Sequence, residues 1–200
     1  MQSDKTYHHG DLRRALVDAA TQVAAERGLD AIKVSTLARQ LGVSSGAPFR
    51  HFANREALLV AMAEAAADRQ LAAMRSAAVA HKDPIEQQRR MGVAYVRWAV
   101  ADPGGFRALN RAASIAGSER LRAQQQAFAD TLTASLDNSR ARLALADEPA
   151  RVLAARALVH GLARMCVDGL MGRPISPDMA EQLAERVTRS IHFKPLEDHP

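Results

Sequence analysis

The stretch "LARQLGVSSGAPFRHFANREALL", Leu37 to Leu59, decides how this chain reads. Two short helical patterns flank a glycine, and a proline stands inside the second. Four basic residues, Lys33, Arg39, Arg50 and Arg55, fall between positions 33 and 55 with no acid among them. Leu37, Ala38 and Leu41 give the first pattern an apolar face at helical spacing. Gly42 follows, where a sharp turn needs a residue that accepts positive φ at little cost. Ala38 is small where a second helix must cross closely, and Val43 can plug the corner. Together these residues form a helix-turn-helix pattern.

Pro48 constrains what comes next. Proline lacks an N–H and is tolerated only in the first turn of a helix. With Ser45 as N-cap, Pro48 is the third helical residue, whose N–H has no intrahelical partner anyway. The pattern therefore predicts a helix over 45–52. At α-helical spacing, Pro48 and Phe52 face inward and Gly46 and Arg50 outward, with Ala47, Phe49 and His51 on the flanks. A face this slim can enter a major groove. Gly46 would bring its backbone close to base edges, and Arg50 could reach a guanine edge or a phosphate. The helix N-terminus would favour phosphate as well.

Outward from this stretch, the punctuation predicts an all-α chain of about nine helices. Of its 200 residues, 48% are hydrophobic and only 4% aromatic. No β-branched runs bounded by turn residues signal strands. A first helix begins at Asp11, buries Leu12, Leu16, Ala19, Ala20 and Val23, and ends at Gly28. Helix two covers 35–41 and helix three 45–52. Asn54 caps a long fourth helix towards Ala80. Asp83–Pro84 and Asp102–Pro103 open the next two, the second running through Asn110. Further helices cover 118–145, the stretch after Pro149 to about Met171, and 177–191. The tail from Lys194 is expected to fray. The first helices, over 10–70, are short and close together and carry the helix-turn-helix, and the rest form a larger bundle over 80–193.

The net charge of +5 is mild, but positive charge gathers at Arg13–Arg14 and between Lys33 and Arg55. That is a focused patch and not a basic tail. The single cysteine, Cys166, excludes an intrachain disulfide and fits a reducing cytoplasm. No apolar run approaches the ~20 residues of a membrane span, and the polar start "MQSDKTYHHGD" is no secretory signal. The expectation is a cytoplasmic protein with no membrane partner.

The motif resembles the DNA-binding domain of the TetR family of bacterial transcriptional regulators, over about Gly10 to Gln70. That family's pattern is roughly "IA…GVS…Y.HF..K..L". Phe49 stands where a tyrosine is usual, so a hydroxyl bond to phosphate is lost. Arg55 replaces the usual lysine, and Lys33 replaces a capping Ser or Thr, which leaves Ser35 as a substitute cap. The resemblance implies base reading by Ser45, Gly46, Phe49 and Arg50. It implies backbone contacts from Ser35, Thr36, Ala47, His51 and Arg55, which position the protein without specifying sequence.

After Ala80, "AYVRWAVADPGGFRALN" and "ALVHGLARMCVDGLM" resemble the C-terminal domain of a subgroup named for a Trp-His-Gly signature. His160–Gly161 is present, and Arg156 occupies the tryptophan's place. The resemblance implies a homodimer on palindromic double-stranded DNA, joined through the last two helices. Leu153, Ala157, Gly161 and Arg164 form one stripe, and Met179, Leu183, Val187 and Ile191 the other. An intramolecular core would explain both stripes equally well. Two recognition helices ~34–36 Å apart would read two half-sites. Met91, Tyr95, Trp98, Phe106, Phe128, His160 and Met165 are candidates to line a pocket for an apolar small-molecule effector that releases DNA.

Catalytic chemistry finds little support. There is no glycine-rich phosphate loop, HExxH or GxSxG. Adjacent His8–His9 would chelate a metal poorly, so neither metal nor cofactor is expected. The competing reading is an α-helical enzyme or small-molecule carrier whose first helices only pack.

Overall fold

A computed structural model describes residues 9–112, 118–137 and 148–190. Expectations for His8, for the helix beyond Asp137, for Ile191 and for the tail from Lys194 fall outside them, as does the side chain of Leu153. The described residues form eight α-helices: α1 His9–Arg27, α2 Val34–Gln40, α3 Arg55–Val79, α4 Pro84–Ala101, α5 Pro103–Ala112, α6 Glu119–Asp137, α7 Glu148–Val167 and α8 Pro177–Ser190. Two 3-10 turns, Leu29–Ala31 and Ala47–Arg50, complete the order. The helix expected over 45–52 is thus a single 3-10 turn over Ala47–Arg50, which is why eight α-helices stand where nine helices were expected.

Local chemistry sets the ends. Gly28 closes α1 at φ +82, its N–H donating to the Ala24 carbonyl at 3.0 Å. Asn54 Oδ1 accepts from the Ala57 N–H at 2.9 Å, Asp83 Oδ1 from Ile85 at 3.1 Å, and Asp102 Oδ1 from Gly105 at 3.0 Å. Each supplies an acceptor that the first turn lacks. Helix α1 begins two residues before the expected Asp11. Helix α2 is capped by Lys33 in an extended conformation, with no side-chain cap bond. Ser35 therefore lies within the first turn and is not the substitute cap.

The chain divides into two compact units. The first takes in the described residues to Ala67 together with those between Asp102 and Leu121, the second Asp68–Ala101 and the described residues from Arg122 on. In the first, Leu12, Leu16, Ala20 and Val23 of α1 pack with Ile32, Leu37, Phe52, Leu58, Leu59 and Met62. Helix α5 belongs to this unit, although the sequence division put it with the second domain. It crosses α1 so closely that a Cβ on Gly104 would lie 2.0 Å from the Thr21 carbonyl oxygen. Arg107 then donates to the Ala24 and Ala25 carbonyls at 2.9 and 3.0 Å, satisfying the last turn of α1.

In the second unit, α4 packs against both α7 and α8. A Cβ on Gly92 would meet Val159 Cγ2 at 3.2 Å and Thr188 Cγ2 at 3.5 Å, so a small residue is needed at that crossing. Helix α8 buries Ala180, Ala184 and Thr188. Ion pairs bind the helices on the outside: Arg90 to Glu185 at 2.8 Å and Arg97 to Glu181 at 2.7 Å.

Candidate nucleic-acid interface

The corner after α2 is a Schellman motif. Gly42 takes φ +69. The Val43 N–H donates to the Ala38 carbonyl at 3.0 Å, and the Gly42 N–H to the Arg39 carbonyl at 3.2 Å. Ala38 is buried, and half-buried Val43 packs on the core of the first unit, plugging the corner as the sequence predicts.

Beyond the corner, the chain closes i to i+3. The Ala47 N–H donates to Ser44 at 3.0 Å, Phe49 to Gly46 at 3.2 Å, and His51 to Pro48 at 3.0 Å. Pro48 supplies the reason. It offers no N–H, and a proline disfavours the α conformation at the residue before it, here Ala47. The turn is capped by Gly46 and not by Ser45. One turn also lacks the aligned peptides of a macrodipole, so the expected anion preference of a helix N-terminus is weak here.

A three-residue repeat changes which side chains share a face. Pro48 is buried and His51 half-buried, with Phe52 buried behind them. Gly46 aligns with Phe49, and Ala47 with Arg50. Ser45, Gly46, Phe49 and Arg50 are exposed, so all four expected base readers point to solvent, but the Gly46–Arg50 face of an α-helix is replaced by a Gly46–Phe49 face. Ser35 is exposed, and Thr36 and Ala47 are half-buried at the same corner.

Arg55 departs from its expected role. Its Nη2 donates to the Leu29 carbonyl at 2.6 Å and its Nε to Ile32 at 3.2 Å. Asp30 and Glu56 pair with the same guanidinium at 3.6 and 3.5 Å, and both also pair with Arg111 of α5, at 3.8 and 3.5 Å. Its donors are turned inward, onto the turn that precedes α2. Sequence reading missed Arg111 and Asp30 because these partners lie far apart in the chain. Arg13, on the exposed side of α1, stands 5.2 Å above the Phe52 ring.

Two family models match the chain. "Bacterial regulatory proteins, tetR family" covers residues 16–62, and "Tetracyclin repressor-like, C-terminal domain" covers 88–191. The chain belongs to the TetR family. It is a DNA-binding transcriptional regulator, which sets aside the reading of an enzyme or carrier without DNA binding. The HTH-type transcriptional repressor Rv1474c of Mycobacterium tuberculosis is 31% identical over 178 residues, 78% of this chain and 95% of that protein. A solved protein of unknown function from Rhodococcus sp. RHA1 has a TM-score of 0.75 at 26% identity, covering 94% of this chain and 98% of that one. PfmR of Thermus thermophilus, a TetR family transcriptional regulator, has 0.69 at 24%, covering 91% and 98%.

The second unit of this TetR-family regulator gathers several of the expected pocket residues. Buried Met74 and Met91 pack with half-buried Tyr95 and Phe128. Tyr95 Oη lies 2.8 Å from His160 Nδ1 and its ring 5.8 Å from that of Trp98. Burial pushes the Tyr95 phenol up to about 12, against the pull of Arg156. Burial, then Arg164 and Arg156, lowers the His160 imidazole. At neutral pH the pair is a protonated phenol against a neutral imidazole, and the imidazole tautomer sets which of the two donates. Phe106 is fully buried but sits on α5 in the first unit, and Met165 is 43% exposed, so neither joins this cluster.

Of the two expected dimer stripes, the one on α7 is open. Ala157 and Arg164 are exposed, and a Cβ on Gly161 would meet nothing within 4 Å. Arg164 pairs with Asp168 at 3.0 Å. Leu158 and Met165 are exposed beside them. On α8, Met179, Leu183 and Val187 are half-buried. Among the described residues, no group of His, Cys, Asp and Glu could hold a metal, and no helix is long and apolar enough to cross a membrane.

Proposed function

We propose that the protein is a homodimeric cytoplasmic repressor that leaves a palindromic operator when a small apolar effector binds its second domain. The observation that carries the reading is the corner at Gly42. It presents one slim turn whose buried Pro48 and Phe52 hold Ser45, Gly46, Phe49 and Arg50 outward. Those four read bases, while Ser35, Thr36, Ala47 and His51 serve the backbone. Arg55 is a positioning residue that acts through the turn at Leu29–Ala31. The TetR-type domain takes residues 10–70 and the effector and dimerisation domain 80–193, with α5 joined to the first domain's core.

The open α7 stripe at Ala157, Leu158, Gly161 and Met165 supports dimerisation, since small residues let a second helix approach closely and two turns could then read two half-sites. The Met91, Tyr95, Phe128 and His160 cluster supports an apolar effector. His160–Gly161 supports membership of the Trp-His-Gly subgroup. A ligand can act only by binding one arrangement of the domains better than the other.

Footprinting of the purified protein on its own upstream region tests the reading. A short protected palindrome is expected, with affinity that falls steeply with salt. Broad coverage without a palindrome would instead indicate a nucleoid-type binder.

A further inference from the structure

We propose that the Phe49 ring reads the 5-methyl group of a thymine in each half of the bound DNA. The inference rests on the DNA-binding reading above and deepens it by naming what the turn recognises. Phe49 is 56% exposed, and among the described residues it is the sole phenylalanine left open to solvent. It does not stand on the open α7 stripe, but at the tip of the turn, between exposed Ser45 and Gly46 on one side and exposed Arg50 on the other.

The 3-10 geometry gives the ring its access. The Phe49 N–H closes onto the Gly46 carbonyl at 3.2 Å, so these two residues eclipse. Gly46 has no side chain, and the space where one would stand is empty to 4 Å. No side chain at position 46 therefore stands beside the exposed ring. A phenyl carries no donor or acceptor for a phosphate or a base edge. In the major groove, the thymine methyl is the one apolar mark that a base presents, and cytosine lacks it. The ring therefore separates thymine from cytosine at a pyrimidine position, while Ser45 and Arg50 supply the polar contacts beside it.

The experiment uses the full-length protein and the DNA defined by footprinting. Each thymine is replaced in turn by deoxyuridine, which removes only the methyl, and binding is titrated for wild type, Phe49→Ala and Phe49→Tyr. One thymine per half-site is expected to matter. Losing its methyl should weaken wild type about fourfold, the worth of one buried methyl group. It should weaken Phe49→Tyr similarly and leave Phe49→Ala unchanged. Equal deoxyuridine penalties in wild type and Phe49→Ala at every position would overturn the inference while leaving the DNA-binding reading intact. Failure to select any sequence in unmodified DNA would remove that reading, and the inference with it.

Discussion

Gly104 and Gly161 both sit inside α-helices, yet their surroundings are opposite. A Cβ on Gly104 would strike the Thr21 carbonyl at 2.0 Å, and one on Gly161 would meet nothing within 4 Å. The first glycine exists because α5 crosses the backbone of α1. The second leaves bare backbone on a face where Leu158 and Met165 are also exposed. One region is finished by its own chain. The other keeps a surface suited to the close approach of a further helix.

Breaking the finished region should have the largest effect. Gly104→Ala forces two backbones apart and should cost about 3 kcal/mol, measured by urea denaturation. A variant as stable as wild type would mean that α5 does not dock on α1 in this way. Arg55→Ala comes next. It strips the Leu29 and Ile32 carbonyls of a charged donor and should cost about 2 kcal/mol. Arg55→Lys should recover less than half, because an ammonium cannot span both carbonyls as a planar fork does. The salt slope of DNA binding should stay unchanged, whereas a phosphate contact by Arg55 would lower it by about one.

A smaller effect probes the ion pairs around α4. The hydrogen bond from Arg89, with Arg90 adding to it, holds the Glu86 carboxyl down at about 2, from an ordinary 4.5. A depressed carboxylate stabilises the fold above its unfolded value, and that contribution is lost as pH falls from about 4.5 to 2. Wild type should exceed Glu86→Gln by about 1 kcal/mol at neutral pH. The gap should close as the solution is acidified through that window. Equal stability at both ends would show that the pair contributes nothing.

Gly161→Leu should change the fold least. It has room, so circular dichroism should match wild type, while sedimentation should report a shift from dimer to monomer. An unchanged mass would move the interface off α7 and erase half of the comparison.

The contrast also explains what the sequence revealed. Gly28, Asn54, Asp83 and Asp102 cap helices through neighbours within four positions, so their chemistry was readable along the chain. Gly42 was readable for the same reason. The 3-10 form of the turn was not, because the missing N–H of Pro48 is harmless in a first turn, and the restriction that a proline places on the residue before it was not weighed. Arg55 looked like a phosphate contact because its acceptors are the Leu29 and Ile32 carbonyls, set by tertiary packing. The place of α5 was hidden likewise, since Gly104 and Arg107 meet α1 across some eighty positions. On α8 the apolar spacing drew attention to Met179, Leu183 and Val187, while the deepest residues, Ala180 and Ala184, carry too little hydrophobicity to stand out.

The Ala47–Arg50 turn has one further consequence. Its shape is held by Pro48 and Phe52 beneath it, so the outward positions contribute almost nothing to folding. Such positions can be exchanged freely as lineages diverge. Gene duplicates could acquire new target sequences by altering Ser45, Phe49 or Arg50 alone, without compensating changes in the scaffold.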